Sequence, residues 1–168
     1  AVDGYSRQMR GTTPGIYASQ SGPGVENSFG GIAQAYGEAV PLIYLPLGHG
    51  LKGYDVSPNF SAKRNYEHIT KLALSIDRPD RITTQIKRAF HAVKHGRPAP
   101  VLVEMHPDAM MRDIPENATN YEPSKTFRYA PSRGDVKDAV QALLNAKRPV
   151  IWAGQGILYA DATAELCQ

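Results

Sequence analysis

Within seven residues, Ser21-Gly22-Pro23-Gly24-Val25-Glu26-Asn27 combines two glycines, a proline and a side-chain amide. Gly22 and Gly24 permit positive φ and carry no Cβ to block a ligand, and Pro23 stiffens the turn between them. Asn27 can both donate and accept a hydrogen bond, so it suits recognition of a polar ring edge; it equally suits a helix N-terminal position, where Asn satisfies backbone donors. Glu26 is favourable near a helix start without any chemical duty. His49, between Gly48 and Gly50, is the histidine best placed to meet a ligand, since a loop leaving a strand's C-terminal end is where open α/β sheets bind them; a solvent-exposed loop residue is the plainer reading. His68, His91, His95 and His106 show no metal-ligand spacing, so no metal site is expected. Asn59-Phe60-Ser61 and Asn117-Ala118-Thr119 match the glycosylation sequon, which carries no weight without a secretory signal.

The elements that must position these residues alternate. Ile16 to Ser19 is a short β-prone run, and Phe29, Ile32, Ala33, Tyr36 and Val40 recur at helical spacing, which predicts a helix over 26–39. Pro41 to Leu45 reads as a second strand, 48–59 as a loop punctuated by Gly and Pro, and 69–76 as a third strand. Pro79 opens a helix whose apolar face is Ile82, Ile86, Ala89, Phe90 and Val93, ended by Gly96. Val101 to Met105 is a further strand. The alternation predicts a doubly wound α/β fold, a mainly parallel sheet between two helical layers. The proline-marked stretch 113–133 lacks periodicity and reads as a linker; Val136, Ala139, Val140, Leu143 and Leu144 form an amphipathic helix, followed by a strand from Arg148.

Composition narrows the class further. A net charge of +3, dispersed along the chain, does not argue for nucleic acid, and Lys87, Arg88, Lys94, His95 and Arg97 read as the solvated face of one helix. The apolar runs are strand-sized, so no membrane partner is expected. One cysteine, Cys167, excludes an internal disulfide and suits a reducing compartment, the cytoplasm by default.

Taken in order, Ser21-Gly22-Pro23-Gly24, Asn27, Gly31-Ile32-Ala33-Gln34-Ala35-Tyr36, Pro41-Leu42 and the run from Gly96 to Met105 resemble the N-terminal, pyrimidine-binding domain of thiamine diphosphate-dependent enzymes. The acetolactate synthase-like group is nearest. Asp3-Gly4-Tyr5-Ser6-Arg7 resembles that family's Ala-Asp-Gly-Tyr-Ala-Arg helix end, and Arg148 to Gly156 resembles the first strand of its central domain. The resemblance implies residues 1–112 as the pyrimidine-binding domain, 113–133 as linker and 134–168 as the start of the central domain. It also implies a parent that is a lyase or transferase acting on a small 2-keto acid, a homodimer or tetramer with thiamine diphosphate and Mg²⁺.

Residue by residue, the resemblance implies Gly22, Pro23, Gly24 and Asn27 as cofactor-binding, with Pro23 and Asn27 matching positions that lie against the aminopyrimidine, and His49 and Phe60 on the substrate side. The small residues Gly30, Gly31, Ala33, Ala35 and Gly37 suit a helix at the dimer interface, or tight packing on the domain's own sheet. Two departures stand out. Relatives carry a Gly-Gln pair where this chain has Gly48-His49, and Phe-Gln-Glu near Phe60-Ser61-Ala62. No catalytic residue falls within the chain: the family's activating glutamate is expected upstream of Ala1, and the Mg²⁺-binding motif in a later domain, so the chain alone is expected to be inactive. FAD is left open and finds no support in these residues. The alternatives are a Rossmann-like dinucleotide-binding domain, disfavoured because Asn27 replaces the third fingerprint glycine, and a non-catalytic electron-transfer or regulatory domain, which accounts only for the last part of the chain.

Overall fold

The computed structural model describes residues 1–125, 127 and 129–168; Thr126 and Arg128 of the expected linker lie outside them. The chain divides into two units, Ala1–Thr126 and Phe127–Gln168.

In the first unit the elements run α1 (Val2–Gln8), β1 (Gly15–Ser19), α2 (Pro23–Gly37), β2 (Leu42–Pro46), α3 (Ala62–Tyr66), β3 (Leu72–Ile76), α4 (Ile82–Lys94), β4 (Val101–Met105) and α5 (Pro107–Met110). All four strands are parallel, in the order β1-β2-β4-β3. Side chains alternate across the sheet as the pleat requires. Leu42, Tyr44 and Leu102 pack with Val25, Ile32 and Ala35 of α2 and Tyr66 of α3. Ile43, Val101 and Val103 pack with Ala89 and Val93 of α4. Both faces are therefore covered, the three-layer α/β/α arrangement expected from the strand-helix alternation.

Two helix ends are held in ways that matter below. Gly96 follows α4 in the left-handed region at φ +64°. The Arg97 guanidinium beyond it donates to the C=O groups of Tyr36 (3.2 Å) and Gly37 (3.0 Å), the last residues of α2, and lies 5.8 Å from the Tyr36 ring centroid.

Several expectations need correction. α2 begins at Pro23, three residues before the predicted start, because proline's missing N–H costs nothing in a first turn. The third strand starts only at Leu72, since Glu67–Ile69 closes as a 3₁₀ turn. The loop 48–59 leads into α3, capped by the Ser61 hydroxyl accepting from Arg64 N–H at 3.4 Å, an element the sequence reading lacks.

In the second unit the elements are α6 (Arg133–Asn145), α7 (Gly156–Tyr159) and α8 (Thr163–Leu166). The predicted helix over 136–144 is present, with Ser132 accepting from Asp135 N–H at 3.1 Å as its cap. The predicted strand from Arg148 is absent: that segment is irregular, and Trp152 is 97% exposed. Among its described residues the second unit holds no strand, and a lone strand has nothing to pair its backbone groups with.

Candidate functional site

β1 ends at Ser19 on the sheet's C-terminal edge, and after three linking residues α2 begins at Pro23. Gly22 makes that reversal possible at φ +66° and ψ −124°, a conformation that only glycine adopts without strain. Glu26 N–H then donates to Gly22 C=O at 3.0 Å and closes the first helical turn. No side chain caps this end, so the first amides of α2 have no acceptor one turn back.

The approach to these amides is open at Gly22, where an added Cβ would meet nothing within 4 Å. Gly24 differs from expectation. It lies inside the helix, and a Cβ there would come 2.6 Å from Gln20 Cγ, so the Gln20 side chain occupies the space the second glycine was expected to leave for a ligand. Asn27 is the fifth residue of α2, hence not a capping residue. It is exposed one turn beyond exposed Pro23, and this spacing puts both on one helix face. Gly30 and Gly31 continue that face with nothing within 4 Å of an added Cβ, and Gly37 is open too, whereas Ala35 is fully buried in the domain's own core.

The two residues assigned to the substrate side have different partners. Phe60, half-buried, packs T-shaped on Tyr66 at 6.5 Å against the core cluster. His49 is half-buried, and its C=O accepts from His106 Nδ1–H at 2.9 Å. His106 is 1% exposed and sits edge-on to Tyr54, with ring centroids 4.6 Å apart.

Beside His106 lies a group the sequence reading missed. Glu104, 1% exposed, accepts Ala62 N–H on Oε1 at 3.2 Å, while Oε2 has no partner. Burial holds its carboxyl above the ordinary carboxylate range, with His106 and the α3 amides acting in the opposite sense. Gly48 lies directly over it, where a Cβ would come 2.9 Å from Glu104 Cγ. The signal was present, since a carboxylate stood inside the continuous apolar run Val101 to Met105. Among the described residues no three His, Cys, Asp or Glu converge as metal ligands, and no helix is long and apolar enough to cross a membrane.

A parallel sheet between helical layers, with an uncapped, glycine-opened helix start at its C-terminal edge, defines an α/β domain, and comparison with known proteins names its class. Residues 1–72 match the thiamine pyrophosphate enzyme, N-terminal TPP binding domain. The chain belongs to the thiamine diphosphate-dependent enzymes, as part of their N-terminal region. It is 31% identical over 175 residues to the acetolactate synthase large subunit of Buchnera aphidicola subsp. Acyrthosiphon pisum, covering 98% of this chain and 30% of that protein. It is 30% identical to glyoxylate carboligase of Escherichia coli O157:H7 over 99% of this chain and 28% of that enzyme. A probable acetolactate synthase large subunit of Methanocaldococcus jannaschii is 31% identical over 99% of this chain and 29% of its own length. The chain thus spans less than a third of these curated relatives. Similarity over nearly the whole chain disfavours the dinucleotide-binding and electron-transfer alternatives.

Proposed function

We propose that this chain is the pyrimidine-binding portion of a thiamine diphosphate-dependent 2-keto acid decarboxylase or carboligase of acetolactate synthase type. Residues 1–112 form the binding domain, 113–133 the linker and 134–168 the start of the central domain. The observation that carries the reading is the open, uncapped start of α2 at the sheet's C-terminal edge, in a chain similar over 98% of its length to an acetolactate synthase subunit.

The residues fit the cofactor: unsatisfied amides, a Gly22 backbone that a flat ring can approach and the exposed Asn27 amide share one helix start. When bound, thiamine diphosphate supplies the carbanion chemistry that decarboxylation of a 2-keto acid requires. This chain's residues orient the aminopyrimidine: Gly22 and Pro23 set the backbone against it, and Asn27 donates to and accepts from its polar edge. The exposed face of α2 that carries Pro23, Asn27, Gly30 and Gly31 meets a second subunit, whose later domain holds the diphosphate and Mg²⁺.

Carbon dioxide release from pyruvate and from glyoxylate, each supplied separately to the enzyme that carries this chain, tests the reading. Turnover of one of them is expected only with thiamine diphosphate and Mg²⁺ present. In Asn27→Ala the cofactor's dissociation constant is expected to rise about tenfold, the weight of one lost hydrogen bond in a closed site. Turnover independent of thiamine diphosphate, or none with either acid, would overturn it.

A further inference from the structure

Three tyrosines from three different elements end on the turn between β1 and α2. Tyr17 of β1 bonds Ser28 Oγ at 2.8 Å, and Ser28 Oγ donates to Gly24 C=O at 2.6 Å. Since the Ser28 proton is committed to that carbonyl, the Tyr17 O–H is the donor to Ser28. Tyr44 of β2 is the register partner of Tyr17, stacked on it at 5.2 Å and 11°, and its hydroxyl meets Ser19 Oγ at 2.7 Å. Tyr66, the last residue of α3 and fully buried, donates to Val25 C=O. The last residue of β1 and the second and third residues of α2 are thus each tied to a phenol, directly or through Ser28.

Phenylalanine would fill the same volumes, so what these positions specify is the hydroxyl, which is costly to bury unless it is bonded. A buried tyrosine has two torsions, both locked by the aromatic stack, and so reaches its acceptor as a rigid strut. Burial, reinforced by the neighbouring Tyr44 and Tyr17, holds the Tyr66 phenol well above its ordinary range, so it remains a donor at neutral pH. Among the described residues, the hydrophobic cluster on the sheet's other face contains no tyrosine.

We propose that Tyr17, Tyr44 and Tyr66 are positioning residues that hold the β1–α2 turn in its ligand-facing shape. The ligand rests on the thiamine diphosphate reading above; the geometry does not. The test is Tyr17→Phe, Tyr44→Phe and Tyr66→Phe, read in two ways. In this chain, amide exchange at Glu26 and Leu47, whose N–H groups donate to the Gly22 and Ser19 C=O groups of the turn, is expected to accelerate about tenfold while β4 amides keep their rates. In the enzyme that carries the chain, the thiamine diphosphate dissociation constant is expected to rise about tenfold, with kcat at saturating cofactor retained. Unchanged exchange at the turn overturns the proposal, as does equal acceleration in β4, the mark of a merely structural role. Faster turn exchange with unaltered cofactor affinity also overturns it. If the unsubstituted enzyme binds no thiamine diphosphate while turn exchange still accelerates, the cofactor reading fails and the tyrosine struts stand.

Discussion

The two faces of the sheet are built from different materials. Toward α4 the cluster is nearly all aliphatic, with Ile43, Leu74, Ile76, Val93, Val101 and Val103 at its centre. Toward α2 and α3 it holds Tyr44 and Tyr66, with Tyr17 and Phe60 against them, and the buried Glu104 carboxylate is bonded to the α3 backbone on the same side. The aliphatic face gains its stability from burial, which has no direction. The aromatic face gives up some of that to make hydrogen bonds that do have direction, and nearly all of them end on the turn or on the start of α3. Stability and site geometry are thus divided between two sides of one sheet.

Substitutions on each side can break this division. The largest effect is expected from Ile43→Ala on the aliphatic face: deleting buried methyl and methylene groups there should cost about 2 to 5 kcal/mol in urea unfolding. Amide exchange at the turn, measured relative to global stability, should stay unchanged; selective opening of the turn in this variant would refute the division. Next is Gly22→Ala. A Cβ has open space there, yet at φ +66° and ψ −124° alanine is strained, by about 1 to 3 kcal/mol. A variant as stable as the parent would mean the turn adopts another backbone in solution.

The smallest effect is Glu104→Gln, visible only as a pH dependence. Because burial raises the folded-state value of Glu104, the folded chain keeps a proton that the unfolded chain releases. The stability linked to this group is therefore complete below the ordinary carboxylate value near 4.5 and is lost as pH rises through the raised one. Urea midpoints of parent and variant, compared from pH 4 to 8, should diverge in the variant's favour as pH rises. Parallel curves would show that Glu104 titrates as an ordinary carboxylate.

Much of the fold was legible because the signals were local. β4 matches its apolar run, and α4 matches its 3.6-residue period and its closing Gly96. What was misread had two local readings: Gly22-Pro23-Gly24 is a plausible loop and an equally good helix start, and Ile69-Thr70 alternates like a strand while closing a 3₁₀ turn. α3 has five residues, too few to show a period. The residue types at the turn were readable; its tyrosine ties were not. Tyr17 meets Tyr44 only through parallel register, and Tyr66 reaches Val25 only across a separation of 41 residues.

The Arg97 clasp on the last carbonyls of α2 bears on how that helix is fixed in place. Aligned peptide dipoles place partial positive charge at a helix start and partial negative charge at its end. In α2 the negative end is met by a guanidinium bonded to Tyr36 and Gly37, while Glu26 in the first turn is the acidic counterpart at the start. Each end of α2 thus carries a charge of the sign its own dipole calls for, and Arg97 ties the close of α2 to the segment that follows α4.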